Sequence, residues 1–117
     1  MIIADSRNQK WIVKFKYIPV EKQREIRFFK CPATITWTEM TTVCAIRKVE
    51  QPISANVYSE VLCKKSELFK KYVGREITFT RLLSSMNFDE KDIELFYKAY
   101  NEKFHHKISL PTNVNEE

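Results

Sequence analysis

The spacing of the apolar residues changes near residue 64, and this change constrains the fold more than any other feature of the sequence. Over residues 11–18 successive side chains alternate in character with a period of two, which is typical of a β-strand. Beyond residue 64 the apolar residues recur at helical spacing. Strands followed by helices indicate an α+β domain. The sequence therefore predicts an antiparallel sheet of about four to five strands, followed by two C-terminal helices packed on one sheet face.

Prolines and turn residues suggest where the predicted strands end. We expect the strand over 11–18 to end at Pro19, because proline cannot donate a hydrogen bond to a ladder. A shorter strand follows over 26–31 and stops at Pro32. The remaining predicted strands cover 34–38 and a hairpin formed by 42–49 and 55–63.

The first helix is predicted to begin at Ser66, a favourable N-cap, and to present one broad apolar face. That face comprises Leu68, Phe69, Tyr72, Val73, Phe79, Leu83 and Met86. Gly74 leaves two alternatives: a helix that ends there, or a continuous helix in which the glycine permits close approach of another backbone. We favour the continuous helix, with Glu76 held near the core by a partner such as an arginine.

The second helix is predicted to begin at Asp89, a strong N-cap. Its apolar stripe comprises Ile93, Phe96, Tyr97, Tyr100 and Phe104. The acidic pairs Asp89/Asp92 and Glu90/Glu94 are expected on its exposed side. Periodicity is lost after residue 104, so we expect a single domain over 1–104 and a flexible tail over 105–117.

Composition and charge limit the possible settings and partners. At 117 residues and 44% hydrophobic content the chain can form one real core, and no stretch approaches the roughly 20 apolar residues of a membrane helix. The start lacks the pattern of a secretory signal, so we expect a cytoplasmic protein without a membrane partner. The net charge of +5 is concentrated in residues 1–30 and 64–81, which favours a polyanion or an acidic protein face as partner.

The residues that catalysis or cofactor binding usually needs are few. One glycine excludes a phosphate-binding glycine-rich loop. His105 and His106 stand at the entrance to the predicted tail, which offers no orienting partner. A zinc site from Cys31, Cys44, Cys63 and His105 would lack close ligand pairs. We therefore expect no enzyme activity, no cofactor and no metal site.

Basic residues near aromatic residues are the candidate contacts for a partner. On the first strand Lys14 and Lys16 share the face opposite the aromatic residues, which are most simply read as core. The full candidate set is Lys14, Lys16, Arg24, Arg27 and Lys30 near the beginning, with Lys70, Lys71, Arg75 and Arg81 on the first helix. Interleaved cations and rings also suit nucleic acid, because bases stack on rings and cations meet phosphates.

Residues 43–104 contain a set of recognisable features: Cys63, Ser66-Glu67, Phe69, Gly74-Arg75, Arg81, Leu83 and an acid-capped helix from Asp89. In these features the segment resembles a group of small bacteriophage and prophage accessory proteins. The group is uncharacterised, so the resemblance implies a phage setting and a host-cell location rather than an activity. We expect a non-catalytic protein that binds and inhibits or modulates a host or defence protein; the alternative is a small basic nucleic-acid-binding module. The sequence leaves the oligomeric state open.

Overall fold

The computed structural model describes residues 1–64 and 69–105 and has an α+β architecture. The sheet contains β1 (Ile2–Ala4), β2 (Lys10–Phe28), β3 (Cys31–Lys48) and β4 (Val57–Cys63), in that order and all antiparallel. A short 3-10 helix (Ile53–Ala55) precedes β4, and the helices α1 (Lys71–Ser85) and α2 (Glu90–Phe104) follow the sheet. The predicted fold class is thereby confirmed.

The core lies between the sheet and the two helices, on what we call the helix-covered face. Odd-numbered residues of β2, including Trp11 and Val13, point to this face, as do Cys44 and Ile46 of β3. Helix residues complete the core: Phe79, Leu82 and Leu83 from α1, and Phe96, Tyr97 and Tyr100 from α2. The prediction that the aromatic residues of the first strand form core, with Lys14 and Lys16 opposite, is confirmed.

The two long strands correct the predicted strand ends. β2 continues through Pro19, so residues 11–18 and 26–28 belong to one strand. The strand predicted over 26–31 does not exist as such, because Phe29 and Lys30 form a turn and Cys31 begins β3, which continues through Pro32. The prediction that these prolines terminate strands is wrong. Similarly, the strands predicted over 34–38 and 42–49 belong to the single strand β3, which ends at Lys48.

The direction of the backbone groups explains why both prolines are tolerated. The N–H of Val13 donates to the carbonyl of Met1 beside β1, so odd residues of β2, including Pro19, direct their backbone groups away from β3. The N–H of Val49 donates to Lys10, so even residues of β3, including Pro32, face away from β2. At both prolines that outer side has no neighbouring strand among the described residues. The missing N–H therefore costs no ladder hydrogen bond.

Gly74 lies within a continuous α1, as favoured from the sequence. The glycine is buried against β3, and a Cβ atom placed there would overlap Oγ1 of Thr42 and lie 2.9 Å from its Cβ. The absence of a side chain therefore lets the helix backbone approach the sheet closely. Glu76, two residues further on, is half-buried.

The helix ends are only partly as predicted. α1 begins at Lys71 with Lys70 as its N-cap, so Phe69 precedes the helix rather than lying in its first turn; Ser66 lies outside the described residues. α2 begins as predicted, and the Asp89 carboxylate accepts a hydrogen bond from the N–H of Asp92. The expectation that Asp92 is exposed is wrong, because its carboxylate is buried and accepts a 2.8 Å hydrogen bond from the N–H of Ser6. The predicted tail falls outside the described residues from residue 106.

Replacing Gly74 with alanine tests the close approach of α1 to β3. We expect Gly74→Ala to lower the free energy of unfolding by roughly 1–3 kcal/mol, since the new methyl group meets Thr42, even though alanine is intrinsically the better helix former by about 1 kcal/mol. The measurement is chemical denaturation followed by circular dichroism. Ser84→Ala, at an exposed position of the same helix, is the matched control and should be neutral or slightly stabilising. Stabilisation by Gly74→Ala would contradict the packing described here.

Candidate functional site

The most distinctive feature of the molecule is a two-stranded arm that we define as residues 19–40. From the pair Pro19–Met40 to the pair Phe28–Cys31, β2 and β3 in the described part of the chain pair only with each other, except that Met40 at the base of the arm also pairs with Cys63 of β4. Ten residues of β2 form this part, which at about 3.3 Å per residue is roughly 30 Å long. The longest dimension of the molecule is 65 Å, consistent with an arm that extends from a compact body.

The tip of the arm is a two-residue turn with an unusual sequence. Phe29 and Lys30 have φ angles of 58° and 92°, the left-handed conformations that a type I′ hairpin turn requires. Glycine and asparagine usually occupy such positions, and a bulky residue there is strained by about 1–3 kcal/mol. The ring of Phe29 is 83% exposed. The turn therefore holds an aromatic side chain at the far end of the arm at some cost in stability.

The two faces of the arm differ in chemistry. The face that continues from the helix-covered side is polar, with Glu21, Gln23 and Glu25 of β2 opposite Thr38, Thr36 and Thr34 of β3. The other side, which we call the open face, mixes apolar and basic side chains. Its β2 residues are Val20, Lys22, Arg24 and Ile26, and their β3 partners are Glu39, Trp37, Ile35 and Ala33.

The open face continues without a break onto the body of the sheet. There it includes Lys14, Lys16, Ile18, Tyr58 and Leu62, because directly paired residues on neighbouring strands, and every second residue along one strand, share a face. Several large apolar side chains on it are exposed: Ile18 by 43%, Ile35 by 38%, Tyr58 by 59% and Leu62 by 38%. Contiguous exposed apolar area of this kind marks interaction sites in monomeric proteins.

One hydrogen bond orders the centre of the open face. The indole N–H of Trp37 donates to the carboxylate of Glu39 at 2.9 Å, between residues that project from the same side of β3. The ring is only half-buried, and its cross-strand neighbour is Lys22. The interaction fixes a large aromatic surface at mid-arm, next to a cation.

The predicted contact residues are distributed over four places. Lys14, Lys16 and Arg24 share the open face, with Arg24 on the arm and the two lysines on the body, and all three are exposed. Arg27 lies on the opposite side of the arm, and Lys30 lies in the turn. Lys70, Lys71 and Arg81 are exposed at α1, away from the arm's open face; the ammonium groups of Lys71 and Lys70 stand over the rings of Tyr17 and Tyr72, respectively.

Arg75 differs from the other predicted residues because its guanidinium group is engaged within the fold. It donates hydrogen bonds to the hydroxyls of Tyr17 (3.1 Å) and Tyr100 (3.3 Å), and its central carbon lies 4.3 Å from the centre of the Phe104 ring. Partial burial alone would lower the pKa of Arg75, but the two tyrosine hydrogen bonds outweigh it and raise that pKa. Arg75 therefore joins β2, α1 and α2, and its role is structural.

The cluster around Arg75 also shifts the pKa of the Tyr100 hydroxyl. Burial raises the pKa of Tyr100, Arg75 opposes the rise, and the nearby charge of Glu76 adds to it. Glu76 therefore lies close to the core, as expected from the sequence, with Tyr100 within its electrostatic reach. Both phenols that contact Arg75 act as hydrogen-bond acceptors that position the guanidinium group.

Four further residues belong to this surface although the sequence pattern did not identify them: Lys22, Ile18, Ile35 and Trp37. Because the first strand was predicted to end at Pro19, the alternation was not followed through residues 19–25, which belong to β2. A signal was present: Lys14, Lys16, Lys22 and Arg24 are all even-numbered, which places them on one face of a continuous strand.

The cysteines and histidines do not form a site in the described part of the chain. Cys31 lies beside the arm's turn, and Cys44 is buried in the core 13 residues along β3, roughly 40 Å away. Burial raises the pKa of the Cys44 thiol to about 12. Among residues 1–64 and 69–105, no three His, Cys, Asp or Glu side chains are grouped as metal ligands. The zinc site considered from Cys31, Cys44, Cys63 and His105 therefore does not assemble.

Comparisons with known proteins do not assign the chain to a family. No protein-family model matches it, and searches of curated proteins and of solved structures find no match. Within the described residues, neither helix has the length and apolar character needed to cross a bilayer. What the protein does must therefore be inferred from its own surface.

Replacing each of two arginines of α1 in turn distinguishes a structural arginine from a surface arginine. Arg75→Met keeps an unbranched stem but removes both tyrosine hydrogen bonds, so we expect a loss of about 1–3 kcal/mol in the free energy of unfolding. Arg81→Met, at an exposed position of α1, should change it by no more than about 0.5 kcal/mol. Thermal and chemical denaturation measure both. Equal effects of the two substitutions would show that the cluster around Arg75 does not stabilise the fold.

Proposed function

We propose that this chain is a non-catalytic binding protein that docks onto another protein through the open face of its arm. The observation that carries the proposal is the apolar and basic open face over residues 19–40, which no described helix or strand covers. Two-stranded ribbons are marginally stable alone, and an apolar side left in water contributes nothing to their stability. Contact with a partner would bury Ile35, Trp37 and the aliphatic residues beside them.

The side chains on this face favour a protein partner over nucleic acid. The face carries the rings of Trp37 and Tyr58, but its other large apolar side chains on β2 and β3 are aliphatic and offer no ring on which a base can stack. These are Ile18, Val20, Ile26 and Ile35. Glu39 and Glu60 also lie on the open face, where they would repel phosphate. An apolar strip flanked by cations instead complements a protein surface with an apolar centre and an acidic rim.

The shape of the arm suggests how binding would act on the partner. A ribbon of two strands is thin and reaches about 30 Å from the body, so it can enter or cover a cleft that a compact domain cannot. The exposed Phe29 ring is the part that would reach furthest. Together with the phage resemblance, this favours an accessory protein that inhibits or modulates a host or defence protein by occlusion, within the host cytoplasm.

Two substitutions at neighbouring positions of β3 test the open face. Ile35 and Thr36 are adjacent, both exposed, and on opposite faces of the arm. In a pull-down from bacterial lysate we expect Ile35→Glu to reduce recovery of the specific partner at least tenfold, which corresponds to about 1.4 kcal/mol. Thr36→Glu makes the same change in charge and should retain the partner. Loss of the partner with both variants, or with neither, would argue against the open face; circular dichroism checks that both variants fold.

The alternative function is a small nucleic-acid-binding module, and the observation in its favour is the set Lys14, Lys16, Lys22 and Arg24 on one face. We expect at most weak binding to mixed-sequence DNA and RNA in fluorescence anisotropy. Tight binding at about 50 mM salt that falls steeply by 200 mM would instead support the alternative, because phosphate contacts release counterions. Lys22→Glu should then weaken binding to all sequences alike.

A further inference from the structure

The outer edge of β4 has backbone groups available for another strand. In β3 the even residues face β4, so Cys44 and Ser59 form a hydrogen-bonded pair, and so do Thr42 and Val61. The even residues of β4, Tyr58, Glu60 and Leu62, consequently direct their N–H and C=O groups outward. Among residues 1–64 and 69–105 no strand pairs with that edge. An open edge of this kind is a template for strand addition.

A cavity of about 140 Å³ lies next to this edge, between β4 and α1. Val61, Cys63, Phe69, Val73 and Ile77 provide most of its apolar lining. An apolar cavity of about 150 Å³ holds a benzene molecule, so the volume suits one phenyl ring. Gly74 and Thr42, which pack closely against each other, also line the cavity.

We propose that the β4 edge and this cavity form a second binding site, which accepts an extended segment of a partner protein with one aromatic residue as its anchor. The site adjoins the open face on the body at Glu60 and Leu62 but contains no residue of the arm, so it does not depend on the function proposed for the arm. Backbone hydrogen bonds to Glu60 and Leu62 would supply affinity, and the cavity would supply selectivity, as in other cases of strand addition.

The alternation of side chains defines the segment further. A residue of the added strand opposite Val61 directs its side chain to the helix-covered side, into the cavity. The residue opposite Glu60 lies on the open face. Glu60 is exposed and faces the uncharged Val43 on β3, so a cation on the added strand would complement it. For an antiparallel segment the preferred order is therefore aliphatic, aromatic, basic.

A synthetic peptide tests this site without any knowledge of the partner. The probe is acetyl-Ser-Thr-Ile-Phe-Lys-Thr-Ser-amide, titrated into the 15N-labelled protein and followed by NMR. We expect saturable shifts confined to residues 58–63 and the cavity side of α1, with replacement of the peptide's Phe by Ser weakening binding at least tenfold. Val73→Phe, which narrows the cavity from an exposed position, should have the same effect. The Ile35→Glu variant should bind as the wild type does.

N-methylated peptides provide the matched control for strand addition. Methylation at Lys blocks an N–H that points toward Glu60 and should abolish binding, whereas methylation at Phe modifies an N–H that points away from β4 and should be tolerated. A weak binder has a dissociation constant of roughly 1 mM. If no chemical shifts change at peptide concentrations several times higher than this, the proposal is overturned. Equal effects of the two methylations would also overturn it. Neither result bears on the arm, which the pull-down tests separately.

Discussion

The ladder between β2 and β3 is the interaction on which the rest of the structure depends. It runs without a bulge from the pair Trp11–Lys48 to the pair Phe28–Cys31. Its first half holds Val13, Cys44 and Ile46 against the helices, and its second half forms the arm. Because the two halves share one continuous register, the packing of the core determines which side chains the arm shows on each face. The register that core packing fixes in the body therefore also holds in the arm, which has no core of its own.

The helices stabilise this ladder at the point where the arm leaves the body. Tyr17 is the last β2 residue on the helix-covered face before Pro19, and its hydroxyl accepts a hydrogen bond from Arg75 of α1. Arg75 also contacts Tyr100 and Phe104 of α2. Opposite Tyr17, Thr42 packs against Gly74. Both strands at the base of the arm are therefore held by the same turn of α1, which restrains the arm's direction relative to the body.

Local patterns predicted the parts of the fold whose environment is set by near neighbours. The alternation at Trp11, Val13 and Phe15 identified a core face, and Asp89 identified the start of α2, because each signal arises within a few residues. The continuous path of α1 through Gly74 was also predicted. The predicted strand ends were wrong because Pro19 or Pro32 interrupts the sheet only where another strand lies on the side that lacks the N–H. That is a property of the whole sheet, which the sequence around a proline does not contain.

The candidate site shows the same limit. Lys14, Lys16 and Arg24 were predicted and do share a face, yet the aliphatic residues between them were overlooked while the arm was interpreted as two short strands. Arg75 was grouped with surface cations because helical spacing alone does not reveal two tyrosines from other elements. Asp92 was placed in solvent for a similar reason, since its partner Ser6 is 86 residues away in sequence.

The turn at Phe29 and Lys30 limits how the length of the arm can change in related chains. Side chains alternate with a period of two, so adding one residue to each strand next to the turn would reverse the faces to which the residues at the turn point. Adding one residue to a single strand would create a bulge. Lengthening or shortening in steps of two residues per strand preserves both the apolar face and the presentation of the ring. Natural variants of this arm are therefore expected to differ in length by multiples of four residues.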